Sequence, residues 1–197
     1  MTSGPQGFLL DETVAYWADQ NTNALTTKIM KFPSFIGSSE VILLATILIG
    51  LILLVKRDWR NLFFFFILSV GGVMLNLLLK QVVQRARPGD EMREIEVFQW
   101  NLEIQSYSFP SGHTMRATIL FIFLIYLTYR FAKKTKTRVI SYIVYIVLII
   151  AVALSRIMLD AHFATDIIGA IIISISWFFL CLYFFHKPKG ASSLMFS

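Results

Sequence analysis

Three short stretches of the chain hold residue types suited to nucleophilic and acid–base chemistry. "SRIMLDAHFATD", Ser155 to Asp166, sets His162 and Asp166 four residues apart, on one face of any helix they share. A carboxylate accepting from one ring nitrogen leaves the other free to act as nucleophile or base. Arg156 adds a fixed charge there. "SFPSGHT", Ser108 to Thr114, places Pro110, Ser111 and Gly112 directly before His113. Ser111 stands where a helix N-cap belongs, and Gly112 lets a ligand approach the backbone closely. The unpaired N–H groups and dipole of such a helix end favour an anion. "KQVVQRARP", Lys80 to Pro88, contributes Lys80, Arg85 and Arg87.

Each stretch alone has a plain explanation. A capped helix can carry an incidental histidine, and His162 with Asp166 can be a satisfied polar pair. A basic helix end can reach the lipid headgroups, which suits Arg85. Together they say more: three cations, a helix N-terminus and two histidines, one with a carboxylate partner. That set fits a tetrahedral dianion and holds the two groups that phosphoryl transfer through a histidine requires. Zinc held by the histidines with Asp160 and Asp166 is the competing reading. Lys80, Arg87 and Arg156 would repel a cation, so neither metal nor cofactor is expected.

The elements that position these residues are membrane helices. Of 197 residues, 56% are hydrophobic and 15% charged, whereas about a quarter of an ordinary soluble domain is charged. Five apolar segments, roughly Phe35–Val55, Leu62–Leu79, Thr114–Phe131, Ile140–Leu154 and Ile167–Phe185, approach the length of about 20 residues that spans a bilayer. Too little polar chain remains to cover them as a soluble core. The fold class is therefore all-α, an integral-membrane helical bundle. The lone Cys181 excludes a disulfide framework and a thiolate metal cluster.

Connector charges orient the bundle. Lys56–Arg60, Arg130–Arg138 and the tail "HKPK" hold ten of the eighteen Lys and Arg but only one of the twelve acids, Asp58. The positive-inside rule puts these connectors in the cytoplasm. The three reactive stretches then share the extracytoplasmic face. The surplus of +6 is thus a topology signal, which argues against nucleic acid as a partner. Residues 1–34 fall outside as well. Leu9, Leu10, Val14 and Trp17, then Leu25, Ile29, Met30 and Phe32, predict amphipathic interfacial helices there. The expected division is an extracytoplasmic amphipathic segment (1–34), a transmembrane domain (35–186) and a cytoplasmic tail (187–197).

These residues resemble the type-2 phosphatidic-acid phosphatase (lipid phosphate phosphatase) superfamily. Its signature is Lys-x6-Arg-Pro, Pro-Ser-Gly-His, and Ser-Arg-x5-His-x3-Asp. Lys80 with Arg87–Pro88, Pro110–His113, and Ser155–Arg156 with His162 and Asp166 keep that order and spacing. The resemblance implies a six-helix bundle of which five helices are visible, the first being absent from view. It also implies metal-independent hydrolysis of lipid phosphates through a phosphohistidine. His162 would then be the nucleophile, Asp166 its orienting partner and His113 the general acid that later activates water. Lys80, Arg87, Ser111, Gly112 and Arg156 would form the phosphate cradle, supplying the charge stabilisation that other enzymes take from magnesium.

Two residues depart from the family pattern. Asp160 stands where many members carry a small residue, often glycine; it either pairs with a cradle cation, biases substrate choice or faces water. Arg116, one turn after His113, either reads a second phosphate or headgroup or snorkels to the interface. The loop Gly89–Phe109, with five acids, one base and Phe98, Trp100 and Tyr107, reads as an outer lid. Small size and compact loops fit a bacterial membrane. Phosphatidylglycerophosphate and undecaprenyl diphosphate (the cell-wall lipid carrier) are the leading substrates, with phosphatidic acid behind them. The alternatives are a phosphotransferase using the same site and a non-catalytic lipid-binding or transport protein.

Overall fold

The computed structural model describes residues 8–88, 95–97, 100–102 and 107–186. Among the described residues seven helices follow one another: α1 (Leu9–Asn21), α2 (Ala24–Ile36), α3 (Ser39–Val55), α4 (Trp59–Val83), α5 (Gly112–Phe131), α6 (Thr135–Met158) and α7 (Ala164–His186). Among the described residues five apolar runs are long enough to cross a membrane: Ala24–Val55, which joins α2 and α3, and then α4, α5, α6 and α7. All five predicted segments fall on these runs. The first run begins eleven residues earlier than expected, because α2 is itself apolar and leads into α3 across a break at Gly37–Ser38.

Local chemistry sets the boundaries. Asn23 accepts from the Thr26 N–H while Thr26 Oγ1 accepts from the Asn23 N–H, a reciprocal cap that starts α2. Ser38 Oγ accepts from the Val41 N–H to start α3, and Asp58 accepts from the Asn61 N–H to start α4. Gln84 adopts a left-handed conformation (φ 48°) and ends α4.

Helix α5 is the central element, packed by α4, α6 and α7. Its Thr114, Met115, Ala117, Thr118, Phe121 and Phe123 are buried. Phe123 stacks on Phe65 of α4 with centroids 4.2 Å apart, and Phe64 meets Phe123 and Phe178 edge-on or tilted. The outward faces are the reverse of a soluble bundle. Leu44, Leu51, Ile143, Val147, Ile172 and Phe179 are all more than 40% exposed, which lipid tolerates and water does not.

Both N-terminal helices form, as the spacing predicts. Helix α1 packs on α6 and α7 and buries Asp11 and Ala18, while α2 packs along α6. A short antiparallel hairpin, β1 (Ile95–Val97) with β2 (Trp100–Leu102), adds a feature with no counterpart in the sequence reading; Val97 pairs with Trp100. The rest of the predicted lid up to Ser106, Phe98 included, and the tail 187–197 lie outside the described residues.

Candidate active site

The C-terminal ends of α4 and α6 and the N-terminal ends of α5 and α7 meet at one end of the bundle, opposite the basic connectors. His162 lies in the turn between α6 and α7 and is buried. Asp166, on the first turn of α7, accepts from the Phe163 N–H at 3.0 Å through Oδ2. That bond is half of a capping box, so the helix start fixes the carboxylate. The same Oδ2 lies 3.6 Å from His162 Nδ1. Ser108 Oγ donates a short hydrogen bond to Asp166 Oδ2 and lies 3.4 Å from His162 Nδ1. The imidazole's Nδ1 edge is therefore committed to Asp166 and Ser108.

Burial is the largest influence on His162 and disfavours its cation. Asp166 opposes that, while Arg87 and Arg156 reinforce it, and the pKa falls to about 4. At neutral pH the ring is uncharged and carries a lone pair.

Arg85 departs from the sequence reading. It does not reach outward to headgroups: its Nη1 donates to Asp166 Oδ1 at 2.7 Å and its Nη2 to Asp11 Oδ2 at 2.6 Å. Its guanidinium also lies 4.2 Å over the Phe163 ring. Asp11 accepts in addition from the Thr165 N–H and hydroxyl, both at 2.8 Å. Burial would raise the Asp11 pKa, but the Thr165 N–H, the Thr165 hydroxyl and Arg85 together hold it below the usual carboxylate range. Neither Ser108 nor Asp11 stands out in sequence. For Asp11 the available signal is an acid placed among Leu9, Leu10 and Val14, on the face that would otherwise be apolar.

The loop before α5 is held from three sides. The Ser111 N–H donates to the Asp166 carbonyl at 3.3 Å, Asn76 Nδ2 donates to the Pro110 carbonyl at 3.2 Å, and the Phe109 ring presses on α7 at Gly169. A Cβ at Gly169 would lie 2.4 Å from that ring, so only glycine admits the contact. Ser111 occupies the N-cap position of α5, yet its hydroxyl pairs with Thr114 Oγ1 at 3.1 Å instead of capping a backbone N–H. His113 lies within electrostatic reach of Arg156, Arg116, His162 and Arg87.

The cations are anchored individually. Lys80 Nζ donates to the Tyr107 carbonyl, Arg87 Nη1 to the Ala161 carbonyl at 3.3 Å, and Arg156 Nη1 to Ser34 Oγ of α2 at 2.6 Å. All eight residues singled out by sequence (Lys80, Arg87, Ser111, Gly112, His113, Arg156, His162 and Asp166) thus stand at the same end. Among the described residues, no three His, Cys, Asp or Glu side chains stand together as a metal-ligand group.

Asp160 has φ 49° and is exposed, with no ion pair among the described residues. The pairing alternative therefore does not hold. The left-handed backbone explains why glycine suits this position, and Asp is among the few residues that tolerate it. Arg116 packs its Nη1 where a Gly112 Cβ would come within 3.2 Å, and its buried Nε has no hydrogen-bond partner among the described residues. It also lines a groove of about 410 Å³ between α3, α4 and α5, with Ile42, Val70, Val73, Met74 and Ile119.

Comparison with known proteins identifies the family and the fold. Phosphatidylglycerophosphatase B of Bacillus subtilis (strain 168) is 28% identical over 183 residues, covering 91% of this chain and 85% of that protein. The crystal structure of a transmembrane PAP2 type phosphatidylglycerolphosphate phosphatase from Bacillus subtilis superposes with a TM-score of 0.74 at 27% identity, over 92% of this chain and 87% of that one. Aquifex aeolicus LpxE shares the fold, with a TM-score of 0.65 at 18% identity over 91% and 99% of the two chains. The family model for the PAP2 superfamily matches residues 61–189, from the first turn of α4 past the end of α7, and the chain belongs to that superfamily.

Proposed function

We propose that this chain is a lipid phosphate phosphatase that works through a phosphohistidine on His162 at the extracytoplasmic face. The observation that carries the reading is the buried, neutral His162, its Nδ1 edge turned to Asp166 and Ser108 and the cations set around it. In the first step the Nε2 lone pair forms a bond to phosphorus. The bond from phosphorus to the lipid oxygen breaks, and its electron pair stays on that oxygen, which takes a proton from His113, an imidazole that is protonated once the bound phosphate dianion offsets the neighbouring arginines. In the second step water attacks phosphorus and gives a proton to His113. The N–P bond breaks, its electrons return to His162, and inorganic phosphate leaves. Lys80, Arg87, Arg156 and the N–H groups at the start of α5 stabilise the transferring phosphoryl.

The scissile phosphate enters at the membrane surface while the lipid chains stay in the bilayer. Phosphatidylglycerophosphate, the lipid after which the Bacillus subtilis relative phosphatidylglycerophosphatase B is named, and undecaprenyl diphosphate are the favoured substrates, with phosphatidic acid third. Both favoured lipids carry a second anionic phosphorus group between the scissile phosphate and the chains. Arg116 lies by the α5 N-terminus and lines the apolar groove, which supports a role for it in meeting that group. The basic connectors at the opposite end support the outward-facing orientation.

The decisive measurement is phosphate release from short-chain lipid phosphates in the presence of EDTA. Wild type should turn over, and His162→Ala should not. Strict dependence on an added divalent metal, or unchanged turnover in His162→Ala, would overturn the reading.

A further inference from the structure

We infer that Asp11 of α1, acting through Arg85, is a positioning residue for the Asp166–His162 pair, so that the N-terminal helix forms part of the active site. The inference rests on the phosphohistidine reading of His162. Four groups stand in series: Asp11 Oδ2, Arg85, Asp166 Oδ1, and from Asp166 Oδ2 the His162 Nδ1 edge. The side chains of Asp11, Arg85 and Asp166 are only 1%, 11% and 0% exposed, so these charges act on one another with little solvent screening.

Burial decides what Asp11 contributes. Arg85 alone would neutralise Asp166, which would then offer His162 little negative potential. With Asp11 sharing the guanidinium, the three side chains sum to one negative charge. Asp166 thus remains an anion towards the imidazole as its ring gains positive charge on forming the N–P bond. Asp11 also fixes the geometry. It takes both donors of Thr165, the residue preceding Asp166, and so ties α1 to the first turn of α7. Thr165 Oγ1 in turn accepts from Arg85 Nη1 at 2.6 Å, which leaves the guanidinium one orientation. Ser34 of α2 holds Arg156 in a similar way, so each N-terminal helix anchors one cation of the site.

The test uses the full chain in detergent or nanodiscs, comparing wild type, Asp11→Asn, Asp166→Asn and the double variant. Asp11→Asn should lower kcat about 10- to 100-fold, the usual range for an outer-shell partner, with KM within about twofold of wild type. Adding it to Asp166→Asn should cost almost nothing further, because both act through one carboxylate. A wild-type kcat in Asp11→Asn, or losses that multiply in the double variant, would overturn the inference. Thr165→Val, a milder change, serves if Asp11→Asn does not fold; its loss must also fall on kcat, and an unchanged kcat in folded protein overturns the idea. Nitrogen-15 NMR of labelled histidines, with His162 assigned from His162→Ala, reads the same point without turnover. Wild type should hold the proton on Nδ1, and Asp11→Asn should mix the tautomers. An unchanged His162 pattern refutes the positioning role even if the wild-type protein proves not to be a phosphatase.

Discussion

Ser108 Oγ stands at the junction of Asp166 and His162, donating to Asp166 Oδ2 while lying 3.4 Å from His162 Nδ1. It comes from the loop before α5, whereas both partners belong to the α6–α7 turn and α7. One hydroxyl therefore ties the segment carrying His113 to the His162–Asp166 pair. A hydrogen bond to a buried carboxylate contributes about 1.5–3 kcal/mol. Ser108→Ala should lower the melting temperature and reduce kcat roughly tenfold, with KM little changed. Thermal unfolding and steady-state kinetics on one preparation check both; a variant with wild-type stability and kcat would contradict this role.

On the proposed mechanism, His162 should set an acid limit on activity. Its pKa of about 4 lies below the ordinary 6.5 because burial, and then Arg87 and Arg156, disfavour the imidazolium more than Asp166 favours it. The nucleophilic form persists as the pH falls until about 4, so that limb of the kcat/KM profile should lie there. Arg87→Met removes a cation and should move the limb to higher pH in addition to weakening phosphate binding. The same difference acts on stability. Between about 6.5 and about 4 the unfolded chain binds the proton that the folded chain refuses, so stability falls as pH is lowered through this window. Asp11, held below its usual range, acts in the same direction at lower pH. A pH series of melting temperatures that rose on acidification would contradict this.

On the proposed reading, Arg116 should separate substrates. Its Nε is buried beside Gly112 and the apolar groove, without a hydrogen-bond partner among the described residues. Arg116→Met keeps the apolar stem and removes the charge. It should raise KM for a lipid carrying two phosphorus groups about tenfold and leave a lipid monophosphate nearly unaffected. Equal losses on both substrates would place Arg116 in the common cradle instead.

The parts legible in the sequence are those with a local signature. The apolar runs give five spans because length and composition alone decide bilayer crossing. Lys80, Arg87, His113, His162 and Asp166 are legible because their spacing places reactive types at helix ends. Arg85 was not, since a basic residue past an apolar helix carries the same pattern whether it reaches lipid or a buried carboxylate. What distinguishes the two is Asp11, 74 positions earlier, and no periodicity links residues so far apart. The extra length of the first apolar run shows the same limit. Its break at Gly37–Ser38 depends on caps that an apolar count does not register. The exposed Asp160 was ambiguous for a different reason: its backbone conformation, not its charge, is what the position demands.

Gly169 offers the last test, and it concerns packing alone. The Phe109 ring fills the space a Cβ would need, 2.4 Å from one ring carbon and 2.7 Å from the next. Phe109 directly precedes Pro110, so displacing the ring displaces the loop that carries Ser111 and His113. Overpacking of this kind costs about 1–3 kcal/mol when neighbours can shift. Here the neighbours are the α7 backbone and a loop already bonded to Asn76 and Asp166. Gly169→Ala should therefore lower both stability and kcat, and the double variant with Phe109→Leu should recover part of the stability by trimming the ring. Recovery of stability without recovery of kcat would show that the ring itself, and not only the space it occupies, sets the position of His113. Wild-type stability in the single variant would contradict the close contact.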